Sequence, residues 1–341
     1  MNPAALAGIK RLWHRLATFA LGMSTCLAAA ESLPTACPAR PRPHLAVLDR
    51  MHAAEEFRIF YTLDGEHALP RLQDLNANGV PDMVEDAARQ LVAARRLYTE
   101  VLALVHPLQQ PRYRLRAQAV AVNLLRLPRA SAGLAYDEPR RDLRPGLGSE
   151  GLCVLRIDLD TRWAPPSQTP AHELFHLYQY GYTMFKLRWF LEGMARWAES
   201  ALGSRRGRDD ALPDSPAALG ALLASSYRAG GFWNRLARLD DPDGVLQVPP
   251  PLQALRYSDG TPVLEDAHLH GGALMKAVLE ALARADRRVS QREGWPPFGW
   301  KESDQKSRAH DADAWAAVRE AVAARQIGTA EVARLLALPT P

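Results

Sequence analysis

Thr169-Pro-Ala-His-Glu-Leu-Phe-His-Leu-Tyr-Gln179 places two histidines four residues apart with a glutamate directly after the first. Thr169 stands where an N-cap belongs and Pro170 fits the first helical position. No further proline or glycine follows before Gly181, so the stretch reads as a helix. On a helix this spacing puts His172 and His176 on one face, a single turn apart. Two imidazoles can then point at one ion while Glu173, one residue along, reaches an adjacent water. With ten histidines and 17 glutamates in 341 residues, about 0.015 such His-Glu-x-x-His matches are expected by chance. Two histidines and a carboxylate buried without partners would be costly to desolvate, and a metal satisfies all three together.

A zinc site with one open position takes three protein ligands, so the motif needs a third. Downstream runs Trp189-Phe-Leu-Glu-Gly-Met-Ala-Arg-Trp-Ala-Glu199, which offers Glu192 and Glu199. The interval from His176 is long enough for the first helix to end, the chain to turn near Gly181, and a second helix to return beside it. Gly193 and Ala195 are small, which suits close approach of the two helices.

These elements resemble the gluzincins, the relatives of thermolysin and the zinc aminopeptidases, in which a glutamate from the next helix completes the site. Trp189-Phe-Leu-Glu192-Gly193-Met-Ala195 is similar to their Trp-Leu-x-Glu-Gly-x-Ala element. The resemblance selects Glu192 as the third zinc ligand. It leaves Glu199 either to orient a ligand histidine or to be an ordinary surface carboxylate. The chain as a whole looks most like uncharacterised secreted bacterial metalloproteases that combine an Asn/Gly-rich acidic loop, a His-Glu-x-x-His-x-x-Gln helix and a Trp-x-x-Glu-Gly helix. Here these are Asp74 to Glu85, His172 to Gln179 and Trp189 to Gly193. The likeness spans roughly residues 57–200 and lacks the Gly-x-Met-Glu-Asn segment with which aminopeptidases grip a free amino terminus. Gluzincins usually add a Tyr or His donor to the developing oxyanion; the candidates are His268, His270, Tyr257 and Tyr182, with His270 first because it stands at a helix start.

The acidic loop Asp74-Leu-Asn-Ala-Asn-Gly-Val-Pro-Asp-Met-Val-Glu85 fits the EF-hand pattern of oxygen ligands. Asp74, Asn76, Asn78, the Val80 carbonyl, Asp82 and Glu85 would hold Ca2+ and stiffen the first lobe. The same residues also read as an Asn78-Gly79 turn followed by an Asp82/Glu85 capping box, and the two readings are compatible.

Composition frames the rest. With 47% hydrophobic and 23% charged residues the chain can bury a core. Residues 1–30 read as a signal peptide: Lys10, Arg11 and Arg15 precede the apolar run from Leu16 to Ala30, which ends in Ala28-Ala29-Ala30. That run is short for a membrane anchor, and lipidation at Cys26 is a variant of the same export reading. Removing three basic residues from a net charge of +4 leaves a nearly neutral mature chain, which argues against nucleic acid. The Arg205, Arg206, Arg208 cluster is followed at once by Asp209 and Asp210 and reads as a solvated loop. Cys37 and Cys153 remain, to be bridged in an oxidising compartment unless Cys153 is merely a small buried residue.

Residues 31–56 read as an irregular Pro-rich leader. Strands are expected at 57–61, 113–125 and 152–159, a long amphipathic helix from Val84 to Leu104, and a turn-rich loop around Pro139 and Pro145. From residue 170 the chain turns helical, at 170–181, 187–202, 215–228, 269–285, 311–324 and 329–337. Strands first and helices later predict an α+β fold. The resemblance makes it zincin-like over residues 57–341, with lobes of about 57–183 and 184–341. The function implied is hydrolysis of peptide bonds in a peptide or protein substrate by an exported zinc enzyme with Glu173 as general base. The alternative is a secreted calcium-binding adhesin or binding module with a non-catalytic zinc site.

Overall fold

Ala119–Leu125 is apolar apart from Asn123, and such a run builds a strand buried on both faces. In the computed structural model, which describes residues 34–40, 42–203, 207–265 and 267–341, it is the central strand β3 of one five-stranded sheet. The others are β1 (Arg50–Ala54), β2 (Phe57–Tyr61), β4 (Gly133–Asp142) and β5 (Leu152–Asp160), in the order β1-β2-β3-β5-β4. Strands β2, β3 and β5 run parallel, while β1 and β4 close the two edges antiparallel. The helices are α1 (Asp82–Arg96), α2 (Thr169–Tyr182), α3 (Arg188–Ala198), α4 (Pro216–Leu223), α5 (Gly230–Asp240), α6 (Pro250–Gln253), α7 (Gly272–Glu293), α8 (Glu302–Gln305), α9 (Asp311–Ala324) and α10 (Ala330–Ala337). Strands before residue 161 and helices mostly after it make the fold α+β, and the described residues form one compact unit.

Alternation along the strands divides the core. Ile59, Val122, Leu155 and Ile157 belong to the large core shared with the helices, whereas Phe60, Ala121 and Val154 meet Leu45, Leu48 and Leu147 on the opposite face. Beyond the sheet, the indoles of Trp189 and Trp233 stack with centroids 5.9 Å apart, and each N–H finds an acceptor, Asp311 Oδ1 and the Trp189 carbonyl, both at 3.0 Å. This joins α3, α5 and α9 in one packed unit.

Several local expectations need correcting. The stretch 31–56 contains β1, which pairs with β2 through a tight turn in which Glu55 takes φ +50°. Its half-exposed side chains gave it no apolar signature. Tyr113 to Ala117 is a series of turns, because Arg112 is drawn inward to Asp137 and the Tyr180 carbonyl while the Tyr113 hydroxyl bonds the Asp137 carbonyl at 2.9 Å. The region around Pro139 is strand β4; its outer edge tolerates a proline, which sits within the register shift between Tyr136 and Arg140. The 84–104 helix exists as α1 continued by a π-helical turn over Leu97–Val101. Asp82 is not a cap: the helix starts behind Pro81, and the Asp82 carboxylate accepts the Leu75 N–H at 3.1 Å instead. The 215–228 segment breaks after Leu223, and a helix of its own, α5, follows at Gly230. Residues 1–30, Cys26, Arg205 and Arg206 lie outside the described residues.

Cys37 and Cys153 are bridged, with Cα atoms 6.0 Å apart and a sequence separation of 116. Ala39 then bridges Arg141, so the leader is tied to both β5 and β4. A closed loop of this size stabilises by about 2–4 kcal/mol. Reduction is therefore expected to lower the melting temperature by several degrees and to expose the segment before Leu48 to protease, both measured with and without reductant; unchanged melting and cleavage would show the bridge to be dispensable.

Candidate metal centre

Helix α2 is buried along nearly its whole length, including its polar residues: His172, Glu173 and His176 are 6%, 7% and 5% exposed. Charge at that depth requires partners. The two imidazoles lie 4.7 Å apart between centroids, with their planes nearly perpendicular. Each uses Nδ1 for an outer contact: His172 meets Glu199 Oε2 at 2.7 Å and His176 meets Gln179 Oε1 at 2.8 Å. Both Nε2 atoms are thereby turned toward Glu192 Oε2, at 3.3 Å and 3.7 Å. One ligand atom from each of His172, His176 and Glu192 lies within 4.8 Å of the others, a group of three donors suited to a divalent cation.

Contacts behind the donors fix their aim. Gln179 also donates to the Leu191 carbonyl at 3.1 Å, so one side chain orients His176 and joins α2 to α3. Glu199 is buried, in the 3-10 turn that continues α3, and its other oxygen receives Arg196 Nη1 at 2.6 Å. It is thus a positioning residue for His172 and not a surface carboxylate. Burial alone would lower the His172 pKa, but the carboxylates of Glu192 and Glu199 overcome it and lift the imidazole to about 10. Burial likewise opposes ionisation of Glu192, yet its bonds to His172 and His176 hold the carboxyl well below the usual range. In both cases the surroundings demand positive charge between the two helices.

Glu173 faces a different neighbour. A Cβ on Gly133, the first residue of β4, would lie 2.6 Å from Glu173 Cγ, so the strand backbone and the glutamate can be this close only with glycine there. Burial raises the Glu173 pKa, against the opposing pull of His176 and His172. The cleft outside, about 780 Å³, is bounded by Gly133 and Leu134 on one side and by Glu192, Arg196 and Tyr227 on the other. Strand β4 is the sheet edge, and among the described residues its outer side is bridged by Ala39 at Arg141; no strand covers it at 133–137, where the Gly133 and Asp137 carbonyls accept from the Ser131 and Tyr113 hydroxyls, and its Gly133 end lies beside Glu173.

The four anticipated oxyanion donors are elsewhere. Tyr182 accepts the Val105 N–H at 3.0 Å, Tyr257 is bonded to Gln90 at 2.6 Å, His270 Nδ1 meets the Asp241 carbonyl at 2.7 Å, and His268 pairs with Val245; none lines this cleft. Tyr227 does line it. Its ring lies 6.0 Å from that of His172, with the Arg196 guanidinium 5.0 Å from its centroid. Burial and then the Glu192 carboxylate push its phenol to about 12, so it remains a hydrogen-bond donor. Gly193 explains its approach: a Cβ there would come within 2.7 Å of Ala229 and Trp233, so this glycine seats the Tyr227 segment and not α2, as the sequence had suggested. The only sequence hints were the breakers Ser225-Ser226 and Gly230-Gly231 flanking Tyr227.

The acidic loop lies apart from this centre. Asp74 accepts the N–H groups of Asn78 and Gly79, while the amides of Asn76 and Asn78 lie 3.0 Å and 2.7 Å from the two Glu85 oxygens. Positions 1, 3, 5 and 12 of the pattern therefore converge. Asp82 is turned to Leu75, and Val80 donates its N–H to Asn78.

Searches among protein-family models, curated proteins and solved structures found no match to this chain.

Removal of Glu192 should differ from removal of Glu199. Glu192→Ala is expected to emerge from purification with little zinc, whereas Glu199→Ala should bind it about 10–100-fold more weakly and still saturate. Competition with a chromogenic chelator measures both; a zinc-replete Glu192→Ala would remove Glu192 from the ligand set.

Proposed function

We propose that the chain is an exported zinc metallopeptidase of the gluzincin type, zincin-like in fold, acting on a peptide or protein substrate. The observation that carries this reading is the convergence of His172, His176 and Glu192 beside a fourth buried group, Glu173, that faces the cleft instead of joining them. A site that only binds or stabilises has no use for such a carboxylate. When bound, zinc supplies Lewis acidity toward water and toward a carbonyl. Glu173 takes the proton from the attacking water and returns it to the leaving amine, while Tyr227 donates to the developing oxyanion. The strand-free edge of β4 at 133–137 supports an extended polypeptide as substrate, because the backbone groups there that Ser131 and Tyr113 do not take can continue the sheet with a bound strand. The disulfide fits an oxidising compartment, and among the described residues no helix is long and apolar enough to cross a membrane.

Glu173→Gln keeps the shape but cannot accept a proton. It is expected to retain zinc and melting temperature while casein hydrolysis falls about 10²–10⁴-fold; Tyr227→Phe should lower kcat by about 10–100-fold with KM little changed. A Glu173→Gln protein with full zinc and full activity would refute the mechanism, and wild type with zinc but no peptidase activity would favour the binding module.

For residues 74–85 we propose one Ca2+, supported by the convergence of Asp74, Asn76, Asn78 and Glu85. Calorimetric titration should show one calcium per chain and a raised melting temperature, both lost in Asp74→Ala. Identical heats for the two proteins would reduce the loop to a turn.

A further inference from the structure

The sheet face turned away from the metal centre carries a second cavity, about 440 Å³, between β4, β5 and the leader. Six arginines line it, Arg40, Arg42, Arg140, Arg141, Arg144 and Arg156, against two acids, Glu138 and Asp142. Asp142 is already committed to Arg144, and Asp158 behind Arg156 accepts from Asn123 at 2.7 Å. Among the described residues, the guanidiniums of Arg42 and Arg140 have no hydrogen-bond or ion-pair partner, and Arg42 lies only 5.9 Å over the Tyr136 ring. Arg144 and Arg156 are 9% and 8% exposed, each 3.5 Å over an aromatic ring, Phe60 and Tyr136. Even so, Arg144 Nη1 and Arg140 Nε are buried without a hydrogen-bond partner, and Arg156 Nε has only the Asp158 carboxylate, 3.5 Å away and already taken by Asn123.

So many guanidiniums under partial burial repel one another, and the strain is visible at their neighbours: burial and then Arg156 lower the pKa of both Arg42 and His44. The remaining lining is largely apolar, with Leu45, Leu143 and Val154 prominent. Stacking on aromatic rings fixes the planes of two guanidiniums before any ligand arrives, a preorganisation suited to oxyanions. The disulfide and the Ala39 bridge hold the leader as the wall of the cavity.

We infer that this cavity is a binding site for a small amphiphilic anion, with a carboxylate or phosphate head among Arg42, Arg140 and Arg156 and a short apolar body against Leu45 and Val154. It is independent of the metal centre. By register Arg140 pairs with Val154 and Tyr136 with Arg156 on one face of β4, while Gly133 abuts Glu173 on the other.

Calorimetry on the mature oxidised chain with octanoate, octyl phosphate, inorganic phosphate and octanol tests this. One of the two amphiphilic anions should bind saturably with one site per chain, the tighter of them identifying the head group. Inorganic phosphate should bind at least tenfold more weakly, and octanol not at all. Arg140→Gln and Arg42→Gln, whose side chains make no bond that the fold needs, should each weaken binding about 10–100-fold at unchanged melting temperature, the loss expected for one charge-assisted hydrogen bond. Equal binding of octanol, equal binding of inorganic phosphate, or amphiphile binding that survives both substitutions would each overturn the assignment, as would no binding of any of the four.

Discussion

Three carboxylates, those of Glu173, Glu192 and Glu199, are packed with two imidazoles between α2, α3 and the edge strand, and close-packed negative charge of this kind is not stable unless it is neutralised. Arg196 answers one oxygen of Glu199 from the cleft side. The imidazoles answer the rest either by protonation or by sharing a cation with Glu192. The first solution would lock His172 to Glu192 as a plain ion pair and would leave Glu173, raised in pKa by burial, with no partner of its own. The second, which the proposed function adopts, would engage both imidazoles and Glu192 at once and leave Glu173 facing the cleft. The surrounding structure serves that requirement: Gln179 couples the two helices, Gly133 lets the strand reach Glu173, and Gly193 admits the segment that carries Tyr227.

Much of this was legible in the sequence because the signals were local. The spacing of His172 and His176 needs only a helix to become geometry, and the α2 helix forms over almost the expected span. The apolar run of β3, broken only by Asn123, and the alternation of Leu155, Ile157 and Leu159 with charged residues in β5 likewise declare strands. What was illegible depends on contacts between distant segments. Strand β4 contains a proline and arginines, and nothing local announces that its backbone lies against Glu173 or that its other face stacks under a leader. Tyr227 was hidden for the same reason: its place beside His172 follows from how Gly193 meets Ala229 and Trp233, a fit between helices that no periodicity encodes. The choice of Glu192 over Glu199 came from resemblance, and the physical distinction emerges only in three dimensions. Glu192 faces both Nε2 atoms, and Glu199 faces a single Nδ1.

Strand β4 also organises the molecule's division of labour. Its alternation turns Gly133 toward the helices and Tyr136 and Arg140 toward the leader, so one element borders both an acidic, donor-rich cleft and a basic, apolar-lined cavity. The sheet separates these guanidiniums from the carboxylates of the candidate metal centre. The disulfide anchors to β5 the leader whose Leu45 and Leu48 close the smaller core on the basic side.

The central claim is that two imidazole nitrogens and a carboxylate oxygen hold a single zinc ion. X-ray absorption at the zinc edge of the purified mature chain tests it directly. The predicted spectrum shows two imidazole nitrogens at about 2.0–2.1 Å, one or two oxygens at similar distance and no sulfur shell. A sulfur ligand, an all-oxygen shell without imidazole scattering, or a protein that takes up no zinc would contradict it.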